Sequence, residues 1–287
     1  MSVARYYAWL SRFDDVARLF GHDTGQETFT VHRRLRGDAG QISGAVLHER
    51  LLHALQATDD AATPSTLHGL DAGCGVGGTI FAVHARRGGR YVGITLSPAQ
   101  CERATAEAHR RGLAAACRFA VRDYDAPLED LTPDGVDVIV AIESLAHAPD
   151  PAATIHRLAT RLRPHGRLLV VDDVPRDALP HDDADLAGFR TGWLCPAVAG
   201  DATLAAAFAR AGLTVCHDED LTPLLPQRGA ATLAGLVQIN RLGSALLDWT
   251  PAGILLGSWH GGLMLERLYR RELMRYRLLV GRIAGSA

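Results

Sequence analysis

Gly73, Gly75 and Gly78 fall at the first, third and sixth positions of one short stretch that follows the apolar run LHGLD and leads into the run GGTIFAVHARRG. Glycines so spaced between a strand and a helix let the backbone approach a ligand and leave helix N–H groups aimed at it, as a nucleotide cradle requires. A dinucleotide site adds an acid about 20 residues further on, at the end of the second strand, to hold ribose hydroxyls. This chain has Thr95 there, within VGITLSPAQ. Glu143 and His147, in AIESLAHAPD, have the types that acid–base chemistry uses. His181, Asp182, Asp183 and Asp185 have cation-binding types, but an acidic stretch beside proline reads as a solvated loop. With no H-x-x-x-H or H-E-x-x-H pattern, no metal is expected.

All 30 basic residues are arginine. Without a lysine amine the chain has no Schiff-base chemistry and no Walker-type phosphate loop. The five cysteines, Cys74, Cys101, Cys117, Cys195 and Cys216, are odd in number and form no C-x-x-C pair, so reduced thiols are expected rather than a disulfide frame or a thiolate zinc site. A net charge of -2, with arginines scattered among acids, gives no electrostatic case for nucleic acid. No apolar run reaches the roughly 20 residues that span a bilayer, and MSVARYYAWL lacks the features of a signal peptide. The expectation is a cytoplasmic protein with no membrane insertion.

The elements that must hold these residues follow from periodicity. VARYYAWLSRFDDVARLF spaces apolar residues at three and four and stops at Gly21, and GAVLHERLLHAL is a second helical run, so residues 1–60 are expected to form a helical cap. From 67 to 173, the strand candidates LHGLD, RYVGIT, CRFAVRD, VDVIVAIES and GRLLVVDD alternate with helical segments. Pro98 and Pro151 suit first turns of helices. VPRDALPHDDADLAGF reads as an acidic loop, followed by a helix over 201–212, a strand LTVCHDED, a helical stretch to about 272 and a last strand MRYRLLVGRI. The fold class expected is α/β, a Rossmann-like, mostly parallel seven-stranded sheet with helices on both faces. It forms one domain over 61–287, with a helical insertion at about 226–272 before the last strand.

LDAGCGVGG, GITLSPAQ, AVRDYD and IESLAHAPDP with LRPHGRLLVVDD together resemble, in order and spacing, the motif series of class I S-adenosylmethionine-dependent methyltransferases. GITLSPAQ is similar to the subset acting on small molecules and lipids: cyclopropane-fatty-acid synthases, tocopherol and sterol methyltransferases, and prenyl-diphosphate C-methyltransferases. The resemblance implies S-adenosylmethionine as cofactor, with S-adenosylhomocysteine as product. It sets Asp71 near the methionyl ammonium, Gly73 and Gly75 along the methionyl and ribose portions, Thr95 and Gln100 at the ribose, and Asp123 at the adenine amine. Leu96, Tyr124 and Ile142 are counted with this lining. Each pairing is chemically sound, since a carboxylate suits an ammonium and a hydroxyl with an amide bridges a diol. Plainer readings stand beside them: Asp71 as a helix cap, Asp123 as a strand-end turn, Gln100 as a solvated helix residue.

Methyl transfer from a sulfonium is an in-line displacement that needs an aligned acceptor in a dry pocket and no protein nucleophile. Glu143 and His147 are the catalytic candidates because they follow the fourth strand of the alternating series. In prenyl-diphosphate C-methyltransferases the matching stretch carries Glu in an ES pair, and in ubiquinone-type O-methyltransferases it carries the His of EH-x-P-D. This chain has both. A strand-end cap for Glu143 and a turn for His165 are the structural alternatives. Tyr6, Tyr7, Trp9, Phe13, Phe20, Trp193, Trp249 and Trp259 are available to line an apolar pocket, and VHRRLRGD supplies arginines for a phosphate or carboxylate, or else forms a solvated basic turn. The function expected is methyl transfer to a small apolar metabolite, with a homodimer possible. The alternatives are a prenyl-diphosphate or lipid C-methyltransferase, an NAD-dependent oxidoreductase, and a cofactor-binding module without catalysis.

Overall fold

The computed structural model describes residues 32–247, 249–250 and 252–283. The helix expected over 3–20, with its five aromatic residues, lies outside them. A short antiparallel pair, β1 (Leu35–Arg36) and β2 (Ile42–Ser43), leads into α1 (Gly44–Ala57), which starts where the Ser43 hydroxyl accepts the Ala45 N–H.

The chain then alternates through β3 (His68–Ala72), α2 (Gly78–Arg87), β4 (Arg90–Thr95), α3 (Pro98–Arg110), β5 (Cys117–Val121), β6 (Val136–Ile142), α4 (Pro151–Ala159) and β7 (Leu162–Pro175). It continues through α5 (Ala184–Trp193), α6 (Asp201–Arg210), β8 (Leu213–Asp220), α7 (Ala230–Leu247), α8 (Ala252–Arg270) and β9 (Met274–Ile283). The seven longer strands form one sheet in the order β5-β4-β3-β6-β7-β9-β8; β3 to β7 are mutually parallel, and β9 runs antiparallel to both its neighbours. The mostly parallel α/β sheet expected from the alternating runs is what forms. Every residue of β6 is buried, as a strand covered on both faces must be.

Strand order reverses between β3 and β6, opening a crevice at their carboxyl ends where α/β proteins place ligands. Local chemistry fixes the helices that face it. Pro98 follows the Ser97 cap of α3, and Pro151 follows Asp150, whose carboxylate takes the Ala152 and Ala153 N–H groups.

The acidic segment is not a loop throughout. Asp183 accepts the N–H groups of Asp185 and Leu186 and so starts α5 within it, while Arg271 and Arg267 neutralise Asp183 and Asp185. Among the described residues no group of three His, Cys, Asp or Glu side chains is placed to hold a metal ion. α5 crosses α8 at bare backbone: a Cβ on Gly192 would lie 2.4 Å from the Gly257 carbonyl oxygen, and one on Gly261 would lie 2.6 Å from Trp193 Cδ1. His165, at φ 64°, turns the chain at the irregularity where β7 pairs with β6. Arg167, wholly buried, ties β7 to the end of α1 through the Leu55 carbonyl, the Thr58 hydroxyl and Asp59. No helix among the described residues is long and apolar enough to cross a membrane.

Candidate active site

At the end of β3 the backbone turns sharply, and the Gly73 and Cys74 N–H groups both donate to the Ile94 carbonyl. Gly73 (φ 97°), Gly75 (φ 54°) and Gly77 (φ 89°) occupy the left-handed region, where a side chain is strained. A Cβ on Gly73 would also lie 2.6 Å from Ser144 Cβ. The third demanding glycine is Gly77, the residue before α2; Gly78, counted in the sequence spacing, is the first helical residue. Only the conformation distinguishes two adjacent glycines.

Asp71 closes the inner end of this cradle. It is 3% exposed, and its Oδ2 atom is buried with no hydrogen-bond partner among the described residues. Burial pushes its pKa up to about 7. A helix-capping role does not apply, because the N-cap of α2 is Gly77 and no side chain caps the helix. A buried carboxylate oxygen left without a donor is costly unless a ligand supplies one.

On the β4 side, the Thr95 hydroxyl donates to Gln100 Oε1 at 2.9 Å and accepts the Ser97 N–H at 3.2 Å. Both residues are buried, so Gln100 is not a solvated helix position. Thr95 gives its one proton to Gln100 and so leaves the Gln100 amide N–H groups for a ligand. Leu96 is half-buried beside them. Asp123 stands exposed at the end of β5, one residue past Arg122, whose N–H donates to the Thr95 carbonyl. One of its oxygens accepts the Asp125 N–H at 2.8 Å, which is the turn role. Tyr124 and Ser144 are a clasp: the phenol donates to the Ser144 carbonyl, and the Ser144 hydroxyl donates to the Ala72 carbonyl. Ile142 is core, within β6.

Glu143 follows β6 immediately and adopts φ 50°, rare for a residue with a side chain, while its N–H donates to the Val171 carbonyl at 2.7 Å. Its Oε1 accepts the Tyr276 hydroxyl at 2.7 Å and the Arg33 N–H at 3.2 Å. Oε2 has no hydrogen bond among the described residues. Burial and the Glu143 charge push the Tyr276 phenol well up, so it stays protonated and donating. Glu143 is not capping a helix.

Arg33 is gripped by both oxygens of Asp173 and lies under the rings of Tyr276, Trp193 and Tyr269, at 4.9, 5.2 and 5.9 Å from their centroids. The Tyr269 hydroxyl also donates to Asp173. Asp172, next in line, takes the Ala146 and Asp173 N–H groups, and burial with the Asp173 charge pushes it up to about 7. His147 lies in the turn after Glu143, its Nδ1 atom 3.3 Å from the Leu194 carbonyl. Burial pushes its pKa down, against the pull of that carbonyl and of Glu143. His32 and His48 flank the Thr79 hydroxyl of α2 at 3.1 and 3.4 Å, and burial pushes both down to about 4.

Asp173, Tyr269 and Tyr276 were not among the sequence candidates, and Arg33 entered only as one of the arginines of VHRRLRGD, offered for a phosphate or carboxylate. They come from three distant parts of the chain, and besides VHRRLRGD the DD pair ending GRLLVVDD and the single Tyr among the arginines of MRYRLLV are the marks they leave in the sequence.

Residues 70–168 match the family model described as a methyltransferase domain. A probable chloroplastic tocopherol O-methyltransferase of Oryza sativa subsp. japonica is 33% identical over 165 residues, 57% of this chain and 42% of that protein. The chain spans 35% to 42% of the length of the first curated relatives it matches. A putative sarcosine dimethylglycine methyltransferase from Galdieria sulphuraria shares the fold at a TM-score of 0.73 and 17% identity, over 96% of this chain and 98% of that one. The cyclase SpnF does so at 0.69 and 19%, over 99% and 96%. The glycine turn at the β3/β6 switch point lies inside the matched region, and the chain carries a methyltransferase domain over residues 70–168.

Proposed function

We propose that this chain transfers the methyl group of S-adenosylmethionine to a small, apolar acceptor held against Glu143. The observation that carries the reading is Asp71: a buried carboxyl with an unpartnered oxygen beside a glycine turn that a Cβ would fill. An ammonium supplies the missing donor and the counter-charge together. Thr95 holds Gln100 so that its amide meets ribose hydroxyls, and the second oxygen of Asp123 is available to an exocyclic amine. A carboxylate, which nicotinamide dinucleotides favour at the ribose, is absent from the Thr95 position.

The cofactor supplies an electrophilic methyl group when bound. Glu143 then has two distinct oxygens: Oε1 is fixed by Tyr276 and Arg33, and Oε2 takes the proton that the accepting atom gives up. His147, the second catalytic candidate, lies in the turn after Glu143 with its Nδ1 atom at the Leu194 carbonyl. The tocopherol-methylating relative and the rings of Trp193, Tyr269 and Tyr276 support an apolar acceptor.

A fold shared with a cyclase carries no reaction by itself, so turnover is the test. With methyl-labelled S-adenosylmethionine and a panel of phenols, sterols and prenyl alcohols, the wild-type chain is expected to label at least one acceptor class. Glu143→Gln is expected to lower that rate about 100-fold, with S-adenosylhomocysteine affinity unchanged by calorimetry. Full turnover in Glu143→Gln removes the residue from the chemistry. Binding of NADH in place of the sulfur nucleosides removes the methyl-transfer reading altogether.

A further inference from the structure

The segment VHRRLRGD offers three arginines near the site, and an arginine beside an acceptor pocket ordinarily suggests a phosphate or carboxylate on the acceptor. Arg34 and Arg36 do not bear on this: Arg34 donates to the Ile42 carbonyl in an exposed bond and Arg36 is exposed. Arg33 is different in every respect. Its side chain is only 15% exposed, and Asp173, 3% exposed, faces two guanidinium nitrogens with its two oxygens in a fork. The Tyr269 hydroxyl accepts a further N–H at 2.8 Å. Three aromatic rings stand over the guanidinium at 4.9 to 5.9 Å, and Glu143 lies 3.6 Å from Nε. Two carboxylates against one guanidinium leave this corner with a net charge of about -1 when both are ionised. An anion arriving here meets carboxylates and ring faces rather than an open cation.

We propose that Arg33 is a specificity-determining residue of the acceptor pocket, acting as an internal counter-ion whose seat is built from Asp173, Trp193, Tyr269 and Tyr276, so that the acceptor meets Glu143 with an uncharged face and carries no anionic group at this corner. The proposal rests on the methyl-transfer reading only in naming Glu143's neighbour the acceptor. Arg33 takes no proton and touches no reacting atom. Its backbone N–H helps hold Glu143 in place. A diphosphate or carboxylate on the acceptor would have to lie elsewhere.

The seat is tested with guanidinium ion and pyrophosphate as probes on full-length protein. Arg33→Ala leaves a hole of guanidinium shape. A few millimolar guanidinium chloride is expected to raise that variant's melting temperature saturably and to restore the wild-type emission of Trp193, identified by difference from Trp193→Phe. It should do neither in the wild type, and pyrophosphate should change neither protein. Arg33→Lys, which keeps the charge and loses the fork, serves if Arg33→Ala does not fold; it is expected to hold S-adenosylhomocysteine like the wild type and to bind pyrophosphate no better. Pyrophosphate binding to the wild type that Arg33→Ala or Arg33→Lys weakens tenfold overturns the proposal and makes Arg33 an anion receptor. So does a folded Arg33→Ala with no guanidinium response. S-adenosylhomocysteine titrations run beside these keep the two readings apart: their failure counts against the cofactor site and leaves the guanidinium result standing.

Discussion

Thr95 has one hydroxyl proton, and Gln100 holds it. In the proposed cofactor site Thr95 therefore acts through its neighbour, and a Thr and a Gln five residues apart would take the place of the single acid of a dinucleotide site. Thr95→Val strands the Gln100 carbonyl and the Ser97 N–H together, and each stranded buried group costs about 1–3 kcal/mol. Thr95→Val is expected to weaken S-adenosylhomocysteine binding by at least tenfold in calorimetry, whereas Thr95→Ser retains it. Equal binding by all three proteins would show that Gln100 needs no holding. Asp123 differs from this pair, since its turn with Asp125 is a complete structural role that a ligand contact would only add to.

At the scale of elements, the site depends on how closely α5 approaches α8. Gly192 and Gly261 let two backbones meet, and Trp193 is then fixed by its indole N–H on the Ser258 carbonyl at 2.9 Å. Gly261→Ala puts a methyl group against Gly192 and the Trp193 ring; overpacking of this kind costs about 1–3 kcal/mol. The expected result in urea denaturation is a loss of that size, with a shifted Trp193 emission because the ring can no longer cover Arg33. A variant as stable as the wild type would mean that the helices part without cost. The strands around this crossing were legible because apolar runs bounded by turn residues state a buried parallel strand directly, and RYVGIT became β4 residue for residue. α5 was hidden because clustered acids beside a proline look solvated, although Asp183 followed two residues later by Asp185 is also what a capped, dipole-matched helix start looks like. The glycine turn and Glu143 could be read from local spacing. The seat around Arg33 could not, because it joins residues 33, 173, 193, 269 and 276, and only the closed sheet with α5 and α8 laid across its end brings them together.

For the whole molecule, two pairs of buried groups pull stability in opposite directions with pH. His32 and His48 titrate near 4 in the folded chain against 6.5 ordinarily, so between those values the unfolded state binds more protons and stability falls as pH falls. Asp71 and Asp172 titrate near 7 against 3.8, so the folded state holds their protons and stability falls as pH rises. Each group contributes a slope of about 1.4 kcal/mol per pH unit, and these four slopes oppose two against two, while His147 and His260, also pushed down by burial, add smaller slopes of the histidine sign. Urea denaturation of the ligand-free wild type is expected to show stability rising gently from pH 5 to 6.5. His32→Gln combined with His48→Gln is expected to lose stability steadily as pH rises through that window, and a flat profile in this variant would deny the buried carboxyls their protons. The same carboxyl chemistry gives the central claim its most direct test. S-adenosylhomocysteine affinity, measured by calorimetry from pH 6 to 8 on the wild type and on Asp71→Asn, is predicted to rise with pH up to about 7 and then level off, because its ammonium pairs with an ionised Asp71. Asp71→Asn should bind at least tenfold more weakly, without that rise. Affinity that ignores both pH and the substitution would contradict Asp71 as the ammonium's partner and, with it, this account of the site.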